Sequence, residues 1–195
     1  MIASPVKQGT LEYIYLEDFY TAEQAEHVTA ELVQLQPLAV DPAVLLAAQD
    51  ALGPMRTGHG LFLNKYYHIH GGYSSILDIN RQVFSEPVLA AGRDLSIHWE
   101  HLRRSNADAT MVNFYSNGEE YRPHRDSCVF TALVFMGLGE FEGGDFELAD
   151  YGLRIPFRPN TGIIIPGCAT HTAHPITADP GNYRVSIANF INYIS

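Results

Sequence analysis

From Ala109 onward the chain changes period. "ATMVNFY", "CVFTALVFMGL", "DFELA", "LRIPFRP", "TGIIIPG" and "YRVSIANFINYI" are short runs of β-branched, aromatic and aliphatic residues, separated by Gly, Asn, Asp or Pro. Such side chains suit a pleated, half-buried backbone, and the residues between the runs suit turns. Short strands of this kind bury their apolar faces only by closing on one another, as a small antiparallel barrel or sandwich. The first half of the chain reads differently. "LEYIYLEDFY" (residues 11–20) alternates like a strand running into a turn, and Thr21 with Gln24 forms a capping box. Ala25, Val28, Leu32 and Leu35 then share one helical face. Residues 42–60 read as a short helix or loop ending in Gly-rich turns. "LFLNKYYHIH" (residues 61–70) reads as a strand or an ordered loop, and residues 75–103 as one or two helices broken near Pro87. The expectation is one domain over residues 1–195, mainly β with helical support (α+β). Residues 1–108 would be the helical region packed on one outer side, and residues 109–195 the β core.

With 195 residues the chain is long enough for a proper core. Its net charge of −10 opposes a phosphate backbone, whose recognition rests on Lys and Arg, so no nucleic-acid partner is expected. Two cysteines, Cys128 and Cys168, cannot build a disulfide framework and read as buried free thiols. No apolar run approaches the roughly 18–20 residues that span a bilayer. The opening "MIASPVKQGT" lacks the basic-then-apolar pattern of a secretory signal, so a cytoplasmic location is expected and no membrane partner. The oligomeric state is left open.

The chemistry concentrates in "YRPHRD" (residues 121–126) and "ATHTAHPIT" (residues 169–177). Residues i and i+2 of a strand point to one face, so His124 and Asp126 would present an imidazole and a carboxylate together at the start of the strand that continues as "SCVFTALVF". A surface histidine beside a capping aspartate would spell the same letters. A third ligand, His171 or His174 after "GIIIPG", would make two imidazoles and one carboxylate, the set that leaves three metal positions open in non-haem Fe(II) oxygenases. Arg184 and Ser186 share one face of the last strand. A buried guanidinium there needs an anion, and its planar fork beside a hydroxyl suits a carboxylate.

Together these segments resemble the Fe(II)/2-oxoglutarate-dependent dioxygenases, specifically their prolyl-4-hydroxylase-like branch. The likeness rests on "VNFYSNGEEYRPHRD", "FEGGDFEL", "NTGIIIPGCATHTAHPI" and "YRVSIANF", which occur in the family's order over residues 109–192. It implies a double-stranded β-helix, or jelly roll. It implies His124, Asp126 and a later histidine as iron ligands. His171, followed by Pro175 and Ile176, fits the family's spacing where His174 does not. It further implies Arg184 and Ser186 on the distal carboxylate of 2-oxoglutarate, with Tyr115 and Thr131 also lining that pocket. Several relatives carry a co-substrate tyrosine where this chain has Phe135, which leaves more of that task to Ser186 and Tyr115. The implied cofactors are Fe(II), 2-oxoglutarate and O2. The implied reaction is hydroxylation of a C–H bond of a small molecule, an amino acid or a peptidyl residue, with release of succinate and CO2. Asp126 argues against a halogenase, while desaturation and cyclisation stay open. The rival readings are a base-modifying oxygenase of the same fold and a non-catalytic metal- or small-molecule-binding barrel. "KYYHIHGGY" (residues 65–73) suits either a substrate-covering loop or a packed turn.

Overall fold

The computed structural model describes residues 1–45, 49–50 and 53–193. Strands β1 (Ile2–Gln8) and β2 (Leu11–Glu17) form a hairpin through Gly9 at φ +63°, and lead into helix α1 (Ala22–Leu35). A small hairpin of β3 (Gln49–Asp50) and β4 (Gly53–Pro54) precedes β5 (His59–Phe62). Four short helices follow: α2 (Leu63–His70), α3 (Ser75–Ile79), α4 (Glu86–Arg93) and α5 (Glu100–Arg104). The chain then becomes β, as β6 (Ala107–Tyr115), β7 (Tyr121–His124), β8 (Phe130–Leu138), β9 (Phe141–Gly143) and β10 (Phe146–Leu148). It ends with β11 (Leu153–Ile155), β12 (Thr161–Pro166), β13 (His171–Ala173), β14 (Ile176–Ala178) and β15 (Tyr183–Asn192).

Two antiparallel sheets face each other. The major sheet runs β1-β2-β12-β8-β15-β6-β5 and the minor one β11-β10-β13-β7, with β9 paired to β14 beside them. The central strands read as continuous apolar runs because both of their faces are covered. On β8, Ala132, Val134 and Met136 join the core shared with the helices, while Leu133 and Phe135 join the core between the sheets. On β15, Val185, Ile187 and Ile191 face the helices, and Arg184, Ser186, Ala188 and Phe190 line the space between the sheets. The period of two therefore sorts chemistry from support along a single strand.

The helical layer holds to α1 as its pattern suggests. The Thr21–Gln24 capping box forms, and Val28, Leu32 and Leu35 are buried with Ala25 packed beside them. Three expectations need correction. The region before residue 108 is not only helical support, since β1, β2 and β5 are strands of the major sheet. Residues 75–103 hold more than one or two helices, α3, α4 and α5 being separate; the break near Pro87 does occur, at extended Ser85, with Pro87 in the first turn of α4, where its missing N–H costs nothing. Residues 63–70 are a helix, not a strand or loop. Part of the span 42–60, read as a short helix or loop, lies outside the described residues; Ala43, Val44 and Leu45 sit in a turn there. No described helix is long and apolar enough to cross a membrane.

The segment 65–73 is tied down by α1. The carboxylate of Glu31, itself buried, accepts from Tyr67 Oη at 2.7 Å, Ser74 Oγ at 2.6 Å and the Ile76 amide at 2.9 Å. Its residues line a groove with Val40 and Val44.

Candidate active site

The site lies between the sheets, at the end where the minor sheet's short strands stop. His124 is the last residue of β7 and His171 the first of β13, and the two are direct cross-strand partners. Asp126 is not on their strand. It sits in the connection that leaves the minor sheet for β8, its amide donating to the Gly167 carbonyl at 2.9 Å. The expected picture, a His-x-Asp pair opening the apolar strand on one face, is thus corrected. The imidazole ends one strand, the carboxylate reaches back from a turn, and the apolar strand begins at Phe130 in the other sheet.

One ligand-capable atom from each of His124, Asp126 and His171 lies within 4.8 Å of the others. Nε2 of His124 is 3.8 Å from Asp126 Oδ1, and Nε2 of His171 is 3.5 Å from Oδ2. The opposite nitrogens are occupied: Nδ1 of His124 is 2.9 Å from the Arg122 carbonyl and Nδ1 of His171 is 3.0 Å from the Ala169 carbonyl. A carbonyl only accepts, so each Nδ1 carries the proton and each Nε2 turns a lone pair toward Asp126. That is the tautomer a metal-binding imidazole needs. Asp126 is held in turn by Thr131, whose hydroxyl donates to Oδ2 at 2.5 Å. Thr131 also lines the cavity, and its hydroxyl lies 3.2 Å from Cys128 Sγ as well as bonding the carboxylate.

His124 is nearly buried and stacks on Tyr121 with ring centroids 3.4 Å apart. Burial, with the neighbouring His171 imidazole, pushes its pKa down from 6.5 to about 3. Proton competition at this imidazole therefore begins far below the pH of about 6.5 expected for an ordinary histidine. The folded state resists a proton that the unfolded chain accepts, so stability is full above pH 6.5 and falls as pH drops toward 3. By pH 4 this one group should cost the metal-free protein on the order of 3 kcal/mol. Denaturant titrations of wild type and His124→Gln at pH 7 and pH 4 measure it. The variant should lose less stability than wild type over that interval, and equal losses would show that His124 is not held neutral.

Arg184 is 1% exposed. It lies opposite Tyr115 on β6, and its guanidinium carbon is 5.1 Å from the Tyr115 ring centroid and 5.5 Å from that of Phe135. Burial lowers its pKa, with Tyr115 opposing that shift. Nε donates to the Gly144 carbonyl at 2.8 Å, and Nη1 is buried without a partner among the described residues. Gly144 is required there. Its φ is +78°, and a Cβ would stand 2.7 Å from Arg184 Cδ. This gives "EGGD" its role, bringing the backbone against the arginine. Ser186 and Tyr115 line the same cavity. Phe135 contributes ring surface near the guanidinium and no hydrogen bond.

The structure thus brings His124, Asp126, His171, Arg184, Ser186, Tyr115 and Thr131 to one cavity. It does not bring His174, whose Nε2 is 2.6 Å from Glu147 Oε2 instead. Cys128, half-buried with its thiol pushed up to about 11 by burial, is no ready nucleophile, and Cys168 is exposed, contrary to the expectation of a buried thiol. Sequence reasoning missed Arg56 and Tyr121, which also line the cavity.

No protein-family model and no curated protein matches the chain. Solved structures do. A Pseudomonas putida prolyl-4-hydroxylase superposes with a TM-score of 0.64 at 14% identity, over 95% of each chain. A viral collagen prolyl hydroxylase from Paramecium Bursaria Chlorella virus-1, as a 2-oxoglutarate complex, gives 0.59 at 14% identity, over 93% of this chain and 96% of that one. The fold is the double-stranded β-helix of the 2-oxoglutarate oxygenases. NgTET1 in complex with 5mC DNA shares this jelly roll as well, at a TM-score of 0.58 and 14% identity, over 98% of this chain and 76% of its own. At such identities the jelly roll is what the proteins have in common, and the chemistry of this one rests on its own residues.

Proposed function

We propose that the chain is an Fe(II)- and 2-oxoglutarate-dependent dioxygenase that hydroxylates a C–H bond of a small molecule, an amino acid or a peptidyl residue. The observation that carries this reading is the pairing, in one buried cavity, of three converging metal-competent side chains with an arginine whose Nη1 has no partner among the described residues. A plain metal-binding barrel has no use for a buried, half-satisfied cation, whereas a dicarboxylate that also chelates the metal answers both features.

The residues fit the groups. His124, Asp126 and His171 would hold Fe(II), with a donor set of two neutral imidazoles and one carboxylate that suits this ion and leaves positions free. Arg184 would take the distal carboxylate of 2-oxoglutarate, with the hydroxyls of Ser186 and Tyr115 beside it. When bound, iron, 2-oxoglutarate and O2 supply the oxidation, with succinate and CO2 as co-products. The protein's part is positioning and shielding. Thr131 keeps one carboxylate oxygen of Asp126 engaged, the two backbone carbonyls fix the imidazole tautomers, and Phe146, Leu133 and Ala188 give the cavity apolar walls.

The DNA complex of NgTET1 belongs to a protein of the same fold, so the fold alone does not separate base modification from other hydroxylations. The net charge of −10 does weigh against a polyanionic substrate here. The test is anaerobic loading with Fe(II), then O2 and 2-oxoglutarate, with succinate measured with and without candidate substrates. Succinate above that of His171→Ala, even without substrate, is the expected result. Its absence under every condition would leave a binding barrel.

A further inference from the structure

Arg56 has no place in the scheme so far. It lies in the short segment between β4 and β5, which is clamped by backbone bonds to the start of β7. The Arg122 amide donates to the Met55 carbonyl and the Thr57 amide to the Glu120 carbonyl, both at 2.9 Å. The side chain turns inward and is only 3% exposed. Nη1 donates to Asn113 Oδ1 and lies 3.3 Å from Met111 Sδ. Nε and Nη2 are buried and have no partner among the described residues. Room for the guanidinium comes from Gly60, where a Cβ would stand 3.2 Å from Nη1 and 2.7 Å from Met111 Cε. The arginine is held in place on one side and left unanswered on the other.

Its position distinguishes it from Arg184. Arg184 and Ser186 line only the inner cavity, whereas Arg56 lines both that cavity and the groove outside it, as Asp126 and Tyr121 do. Arg56 thus stands where the cavity meets the outer groove, which is where a substrate would come in. The charges agree. Fe(II), Asp126 and the two arginines would leave the cavity with three positive charges, and 2-oxoglutarate would cancel two of them. One positive charge remains in a site largely closed to water, which calls for a single negative charge on whatever enters. The unpartnered donors specify its shape. Nε–H and Nη2–H form one edge of the guanidinium, and two parallel N–H groups match the two oxygens of a carboxylate.

We propose that Arg56 receives a carboxylate of the primary substrate, so that the enzyme acts on a free carboxylic acid or free amino acid rather than on an internal peptide residue. This rests on the Fe(II)/2-oxoglutarate reading of the cavity. Arg56 is a specificity-determining residue that holds the substrate while the metal centre reacts with it.

The experiment uses the full chain with Fe(II), without O2, and begins with a 2-oxoglutarate titration followed by its metal-to-ligand charge-transfer absorption. No such band would sink the parent reading, before any acid is added. With the band in place, the probes are acetate, longer aliphatic monocarboxylates and the free α-amino acids, each against its carboxamide. Binding is read as heat and as a shift of the band. At least one acid should bind roughly tenfold or more tighter than its amide, because the amide leaves a buried cation unanswered. Arg56→Gln should lose that preference, Arg56→Lys should keep part of it, and both should bind 2-oxoglutarate within about threefold of wild type. The inference is overturned if amides or blocked peptides bind as well as the acids, or if none of the acids binds. It is also overturned if Arg56→Gln weakens 2-oxoglutarate binding instead, which would make Arg56 part of the co-substrate site. Should both variants fail to fold, the acid-against-amide comparison on wild type still decides.

Discussion

Arg184→Ala should abolish useful 2-oxoglutarate binding while leaving iron binding nearly intact. The side chain is buried in the cavity, its Nε is committed to the Gly144 carbonyl and its Nη1 has no partner among the described residues. Truncation would leave the far carboxylate of 2-oxoglutarate desolvated without a counter-charge. Removing one partner of a buried, hydrogen-bonded charge pair costs on the order of 2–5 kcal/mol, which is a loss of roughly 30-fold to several thousand-fold in affinity. Arg184→Lys should fall between, since it keeps a charge and loses the planar fork. Ser186→Ala should cost about 1 kcal/mol. Gly144→Ala tests the backbone's part in aiming the guanidinium and should weaken 2-oxoglutarate without touching a ligand, because its Cβ would press on Arg184 Cδ. The measurement is a 2-oxoglutarate titration of each anaerobic Fe(II) protein, with iron affinity measured separately. Unchanged 2-oxoglutarate affinity in Arg184→Ala would remove the dicarboxylate from this cavity, and with it the main argument against a plain metal-binding barrel.

The parts of this site that were legible in the sequence are those where period and chemistry coincide. Arg184 and Ser186 stand two apart in a long strand, and the alternation that buries Val185 and Ile187 against the helices sends both of them to the cavity. His124 and Asp126 are also two apart, and the same rule brought them together for the wrong reason. They converge because a turn follows β7, and no period describes a turn. The strands that carry the two imidazoles, β7 and β13, are four and three residues long, too short for alternation to register. Helix α2 was hidden by its composition. "LNKYYHIH" is rich in residues that favour strands, and no side chain caps its start. What holds it is tertiary: Leu63 is fully buried and Tyr67 is bonded to Glu31. Arg56 gave one faint signal, an arginine close to the glycines of "RTGHG", and only the folded chain reveals that Gly60 makes room for it.

Metal binding should fail in His124→Ala, Asp126→Ala and His171→Ala, and survive in His174→Ala. Both histidines belong to "THTAH" and either could follow the strand "GIIIPG"; the resemblance favours His171 by its spacing to Pro175, and the fold supplies the physical reason. His171 faces His124 across the minor sheet with its Nε2 turned to Asp126, while the Nε2 of His174 is engaged by Glu147. Residues that merely orient a metal ligand typically contribute 10–100-fold in affinity. Losing a ligand outright should exceed about 100-fold, because two groups cannot hold a labile first-row ion against water. Thr131→Val should fall within the orienting range of about 10–100-fold, since it frees one oxygen of Asp126 without removing the carboxylate. His174→Ala should stay within about threefold of wild type, less than any orienting residue should cost. The check is anaerobic competition for Fe(II) against a chelator of known affinity, with circular dichroism confirming that each variant is folded. If His174→Ala lost the metal and His171→Ala kept it, the centre would have to be rebuilt around a different turn of the chain. If Thr131→Val had no effect, Asp126 would be oriented by the backbone bond to Gly167 alone.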